Sequence, residues 1–241
     1  MGIIVIKNEI TEAQASAVYF VRFKDLTTRE HSIILDIGGA TTEISHWHQR
    51  ELLWEDSVKF AGIDLITVLD DFRKFVDDKV KQEASLYDNY MRRWSYVHKN
   101  WDGKMEKFYF GEYKDLGLKT LRTICLFFSG IAYYIGLHLR RMSLNEPLGY
   151  LAFVGNGIHF LDIVTLGNEF SEENRHFKTW IIIFCEMLKK GHGLENEINY
   201  NTKIIFSDMP KVEVALGLTS DLIENYESFE TQGPTTKKCL D

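Results

Sequence analysis

Between Leu35 and Ile44 the chain runs from an apolar segment into Asp36, then Gly38 and Gly39, then Thr41 and Thr42, then a second apolar–polar alternation. That order reads as a β-hairpin with a tight glycine turn. Glycine lets backbone N–H groups approach an anion with no Cβ in the way, and the threonine hydroxyls add donors. A carboxylate at the strand end can hold hydrated Mg²⁺. The same residues also make a plain Gly-Gly turn whose Asp accepts backbone bonds. The hairpin constrains its surroundings: segments 32–37, 42–47 and 51–58 read as three consecutive strands of a meander, with His48-Gln49-Arg50 as the second turn.

The 241 residues suffice for a substantial core. With 45% apolar and 26% charged residues the composition is that of a soluble globular protein. A net charge of −7 with scattered Lys and Arg argues against a nucleic-acid or anionic-membrane partner, though not against one bound phosphate compound. Three distant cysteines without a CxxC pair suggest a reduced, cytoplasmic protein without structural zinc. No signal peptide is visible. Segment 123–139 carries no Asp, Glu, Lys or Arg and is at the low edge of membrane-spanning length. A buried core helix is the expectation.

Elsewhere, residues 2–6 read as a buried strand, and Thr11 as the N-cap of a helix that begins Glu12-Ala13-Gln14. Gly62 opens an amphipathic pattern through Ile63, Leu65, Ile66, Leu69, Phe72, Phe75 and Val76. Segment 79–115 is charged and aromatic, a helical insertion. A long apolar helix over 116–142 ends at Asn145-Glu146-Pro147. A strand over 150–154 closes on Gly155-Asn156-Gly157, and a helix follows from Ile158. A further helix over 172–190 stops at Gly191-His192-Gly193, a strand covers 203–206, and a last helix covers 210–226 before a frayed tail.

Gly155-Asn156-Gly157, between strand and helix, could let a base or ribose lie against backbone; a tight turn needing positive φ is the plainer reading. Glu12 could ligate magnesium waters or orient an attacking water, or be an ordinary acid at a helix start. His46 and His48 share a strand face and are expected to face solvent. His192 is expected in a loop, and Cys125 and Cys185 in helix packing.

Taken in order, these pieces resemble the actin-like ATPase superfamily, which includes actin, heat-shock chaperone ATPases, bacterial filament proteins and sugar kinases. Glu12 and the small residues after it are similar to the family's first connecting helix, with Ala13 where Pro is common. Asp36-Ile37-Gly38-Gly39-Ala40-Thr41-Thr42-Glu43 is similar to its second phosphate loop, with Ala40 for a frequent Gly and Glu43 for a frequent Asp. Phe60-Ala61-Gly62-Ile63-Asp64-Leu65 resembles its Gly-Gly-x-Asp turn, with Ala61 for the first Gly. Leu151-Ala152-Phe153-Val154-Gly155-Asn156-Gly157 resembles its adenosine loop. Lys211-Val212-Glu213-Val214-Ala215-Leu216-Gly217-Leu218 resembles its closing helix.

The family's first half, with its own Asp-x-Gly strand, has no counterpart in residues 1–9, so the resemblance is to the second half alone. It implies an α/β fold, a ribonuclease-H-like actin-type ATPase domain: a five-stranded mixed sheet with flanking helices. Residues 10–78 and 116–226 would form the nucleotide-binding lobe, 1–9 a lead-in from the missing first half, 79–115 a helical insertion and 227–241 a flexible tail. It further implies ATP and Mg²⁺ as cofactors. Asp36 would hold the metal through water, and Asp36 and Glu12 would serve catalysis. Backbone at Gly38, Gly39, Ala40 and Thr41 would hold phosphates; Gly155, Asn156 and Gly157 would lie against adenosine; Gly62 would line the cleft. Hydrolysis would need the missing first half as partner. A non-catalytic interaction or filament module, with a protein partner or self-assembly, and a small-molecule kinase or phosphatase of the same fold stay open. So does an unrelated α/β domain in which the matches are packing features.

Overall fold

The computed structural model describes residues 11–23, 30–49, 51–69, 71, 111, 114–144, 146, 148–165, 175–193, 202–207 and 215. The expected strand at 2–6, nearly all of the 79–115 insertion, the helix over 210–226 apart from Ala215, and the tail lie outside them. In chain order the elements are α1 (Glu12–Phe23), β1 (Ser32–Ile37), β2 (Thr42–His48), β3 (Glu51–Val58), α2 (Gly62–Val68), α3 (Lys114–Arg141), β4 (Tyr150–Val154), a 3-10 turn (Asn156–His159), α4 (Phe160–Val164), α5 (Arg175–His192) and β5 (Lys203–Phe206). Contacts divide the chain into two compact units. The first comprises residues 1–59, 148–155 and 201–241, the second 60–147 and 156–200.

The first unit holds the sheet, in the order β3-β2-β1-β4-β5. The meander pairs antiparallel, with Ile37 opposite Thr42 and Asp36 opposite Glu43, and Glu43 opposite Ser57. β4 joins β1 in parallel, with Asp36 opposite Val154, and β5 joins β4 in parallel. This is the five-stranded mixed sheet of ribonuclease-H type. β1 is buried along almost its whole length, as expected of a central strand reading Ser-Ile-Ile-Leu-Asp-Ile. The register of β2 on β3 shifts between His46 and Trp47, a bulge that bends an edge strand.

α1 covers one sheet face. Its Ala17, Tyr19 and Phe20 form a cluster with Ile34, Trp47, Ala152, Val154 and Ile205. Its start is a reciprocal cap: the Thr11 hydroxyl accepts from the Gln14 N–H at 3.2 Å, and the Gln14 side chain accepts from the Thr11 N–H at 3.0 Å. Ala13, Ala15, Ser16 and Ala17 are all buried, so small side chains let this helix lie close to its neighbours.

In the second unit α3 and α5 run side by side and in parallel. Phe128 meets Trp180 edge-on at 5.4 Å, and two turns later Gly136 faces the backbone of Leu188 and Gly191. A Cβ on Gly136 would strike the Leu188 carbonyl and the Gly191 Cα, and one on Gly191 would strike the Tyr133 carbonyl. Two facing glycines therefore set the closeness of this crossing. α3 is long and apolar enough to cross a membrane by length and composition, and half of its apolar window is buried within the protein.

Four local expectations need correction. α3 ends at Arg141, one residue from the expected 142, but its stop is made at Ser143 and Leu144, ahead of Asn145-Glu146-Pro147. Ser143 adopts φ 52°, its N–H donates to Arg140 O at 3.0 Å, and the Leu144 N–H donates to Leu139 O at 3.1 Å. That is a Schellman stop with serine in the left-handed position. α5 continues through Gly191 and His192, and Gly193 (φ 82°) is the residue that ends it. His192 is thus a buried helical residue rather than a loop residue. Ile63, expected on an inward face of α2, is 58% exposed.

Candidate functional site

Two glycine turns meet at the carboxyl ends of neighbouring parallel strands. The first is the β1–β2 turn over 38–41, closed by the Gly38 N–H donating to Thr41 O at 2.9 Å. That amide is engaged inside the turn. Gly39 and Ala40 are exposed at its tip, and Thr41 is half-buried. A Cβ on Gly39 would have nothing within 4 Å, and the residue has no positive φ. Neither packing nor backbone geometry in the fold asks for glycine there. The second turn is Gly155, directly after β4, with φ 77°. A Cβ there would run into the Asp36 carboxylate and the Ile37 carbonyl. Gly155 is required twice, by its backbone and by how closely Asp36 approaches. Segments more than a hundred residues apart thus share one corner at the carboxyl ends of the strands, where ligands of open α/β sheets lie.

Asp36 occupies a row of the sheet with Glu43 opposite on β2 and Ser57 opposite on β3. Directly opposed side chains share a face, so Asp36 and Glu43 put two carboxylates on the α1 side. The Ser57 hydroxyl donates to Glu43 Oε1 at 2.7 Å. Glu55, beside them on β3, has its pKa pushed up by burial and by the Glu43 charge, against a hydrogen bond from Thr11 that lowers it. Thr11 is thus near enough to Glu55 to influence it, which puts the start of α1 near β3, and Glu12 is exposed in the first turn. β3 is two strand spacings from β1, about 10 Å.

The other expected site residues belong to the second unit. Gly62 is buried as the first residue of α2. The Asp64 carboxylate accepts from the Ala61 N–H at 2.9 Å, which explains an Asp three places past the N-cap. Asn156 and Gly157 open the 3-10 turn, with Gly157 buried.

A histidine group lies elsewhere on the first unit's sheet. His46, expected to face solvent, is fully buried. His31 Nδ1 and His46 Nε2 are 2.9 Å apart, and the His31 ring stacks on His48 at 3.9 Å and 12°. Sequence places no partner near His46 and His48; the β1–β2 pairing, which carries the chain straight back past His31, supplies one. A metal bound to an imidazole lies in the ring plane, so the near-parallel His31 and His48 rings do not converge on one ion in this arrangement. Burial raises the pKa of the half-buried Cys125 and Cys185 thiols, which suits packing residues.

No protein-family model matches the chain, and no curated protein matches it in sequence. Solved structures similar to it include the ethanolamine utilization protein EutJ from Carboxydothermus hydrogenoformans (TM-score 0.45, 14% identity, 86% of this chain and 53% of that one). A PilM-PilN type IV pilus biogenesis complex follows (0.43, 13%, 88% and 52%), as does a protein described as a sugar kinase from Cytophaga hutchinsonii (0.40, 12%, 86% and 62%). The chain spans about half the length of the first two. Likeness at this level is in the fold only, and the site rests on its own geometry.

Proposed function

We propose that this chain is a Mg²⁺-ATP-binding lobe of the actin-like ATPase type, and that hydrolysis requires a second lobe facing it. The observation that carries the reading is the corner where Gly155 presses against Asp36 beside an exposed Gly39 turn. The exposed amides of Gly39 and Ala40, with Thr41, would hold the β- and γ-phosphates, and Gly38 would shape the turn that presents them. Fixed backbone donors of this kind are effective where charge builds during phosphoryl transfer. The paired Asp36 and Glu43 carboxylates offer hard oxygen ligands of the kind Mg²⁺ takes, and Asp36 would hold the ion through water. A bound magnesium ion supplies charge neutralisation at those phosphates. Glu12, at the start of α1, would help place water. Roles for Asn156, Gly157 and Gly62 beside adenosine rest on the sequence resemblance.

Isothermal titration of Mg²⁺-ATP into the protein and into its Asp36→Ala variant tests the reading. Removing a charge-assisted contact network of this kind should weaken binding by about tenfold or more. Equal affinity in the two, or no heat with either, would overturn it.

A further inference from the structure

The outward face of α3 carries a single straight stripe. Arg122, Leu126, Gly130, Tyr133, Leu137 and Arg140 are all exposed. Their spacing of three and four residues keeps them on one line over about five turns, or about 27 Å. Leu126 is 72% exposed, Tyr133 41% and Leu137 36%. A soluble helix ordinarily turns polar residues to this side, so a line of apolar side chains there needs a cause.

The middle of the stripe is shaped. Gly130 has no side chain, and the 40%-exposed Phe60 ring lies alongside it; a Cβ on Gly130 would sit 3.4 Å from that ring. Phe60 is held in place by stacking on Phe127 at 4.6 Å. Leu126 and Tyr133 therefore rise on either side of a shallow hollow with an aromatic wall. Such alternation receives the knobs of another helix.

The charges at the ends select among occupants. Arg122 closes one end, and Arg140, whose guanidinium lies over Gly193 at the end of α5, closes the other. Beyond Arg122, the Lys119 ammonium is engaged by Asp71 at 2.7 Å, and Asp115 lies further towards the helix start. A second copy laid antiparallel about the hollow would set Arg122 against Arg140, and a parallel copy would set each arginine against itself. Both are repulsive. An acidic amphipathic helix would meet an arginine at each end and apolar side chains between.

We infer that the Leu126–Tyr133–Leu137 stripe of α3 docks an acidic amphipathic helix of a partner protein, independently of any nucleotide. The test uses two fluorescein-labelled peptides of about 18 residues, the length of the stripe. Both carry apolar residues at helical spacing; one has glutamates on its remaining positions, the other lysines. By fluorescence anisotropy on the whole protein, the glutamate peptide should bind at least tenfold tighter than the lysine peptide. Leu126→Asp should weaken it at least tenfold. Arg122→Glu with Arg140→Glu should reverse the preference, a gain that an unfolded variant could not produce. Equal binding of the two peptides, or indifference to these substitutions, overturns the proposal. So does a dimer in sedimentation velocity that Leu126→Asp abolishes, which would make a second copy the occupant. Co-sedimentation with phosphatidylserine vesicles that the same variant abolishes would make a membrane the occupant and would likewise overturn it.

Discussion

Gly155 is the residue at which backbone and side-chain demands coincide. Its φ of 77° penalises any Cβ, and the space a Cβ needs is taken by Asp36 and Ile37. Gly155→Ala should lower stability by about 2 kcal/mol or more, read as a reduced urea midpoint, whereas Gly39→Ala should change stability by less than about 0.5 kcal/mol and leave the midpoint nearly in place, because nothing surrounds it. His192 sets a pH dependence. Burial holds its pKa below the ordinary 6.5, joined by the Arg140 charge and opposed by a hydrogen bond to Leu144 backbone. A base with a depressed native pKa binds more protons unfolded than folded just below 6.5, so its contribution is present above that pH and is lost as pH falls towards the native value. The melting temperature should therefore drop on acidification below 6.5, with a shallower drop in His192→Gln. Identical profiles would show that His192 takes no part in the effect.

Among the elements, the strands are the most legible part. β1, β3, β4 and β5 stand where apolar runs and alternations bounded by turn residues place them, and α1 starts at its Thr11 cap. Helix ends are less so. Ser143 takes a left-handed position that glycine usually fills, so the sequence reaches the end of α3 to within a residue, at 142, but credits the stop to Asn145-Glu146-Pro147 rather than to Ser143. Ser143→Gly should accordingly stabilise the protein by about 1 kcal/mol, seen as a raised urea midpoint; a lowered one would mean the serine side chain is needed there. Burial on β2 is hidden for a different reason. Alternation shows that His46 and His48 share a face but not which face is covered, and in this sheet Thr42, Ile44, Ser45, His46 and Trp47 are all buried. Gly191 has the look of a helix stop, yet its role is to let α3 and α5 touch.

At the scale of the whole molecule, the candidate site is made by topology. Asp36 and Gly155 are each readable as turn residues, but only the parallel pairing of β1 with β4 puts them in contact. That pairing joins segments separated by more than a hundred residues of chain, and local sequence carries no trace of its register. Two-dimensional amide NMR during titration with Mg²⁺-ATP asks most directly whether the corner binds phosphate. If it does, the Gly39, Ala40, Thr41 and Gly155 amides shift saturably and together, while those of residues 122–140 on α3 stay in place. If those four signals do not move as nucleotide is added, the corner is a packing feature and the chain is not a nucleotide-binding lobe.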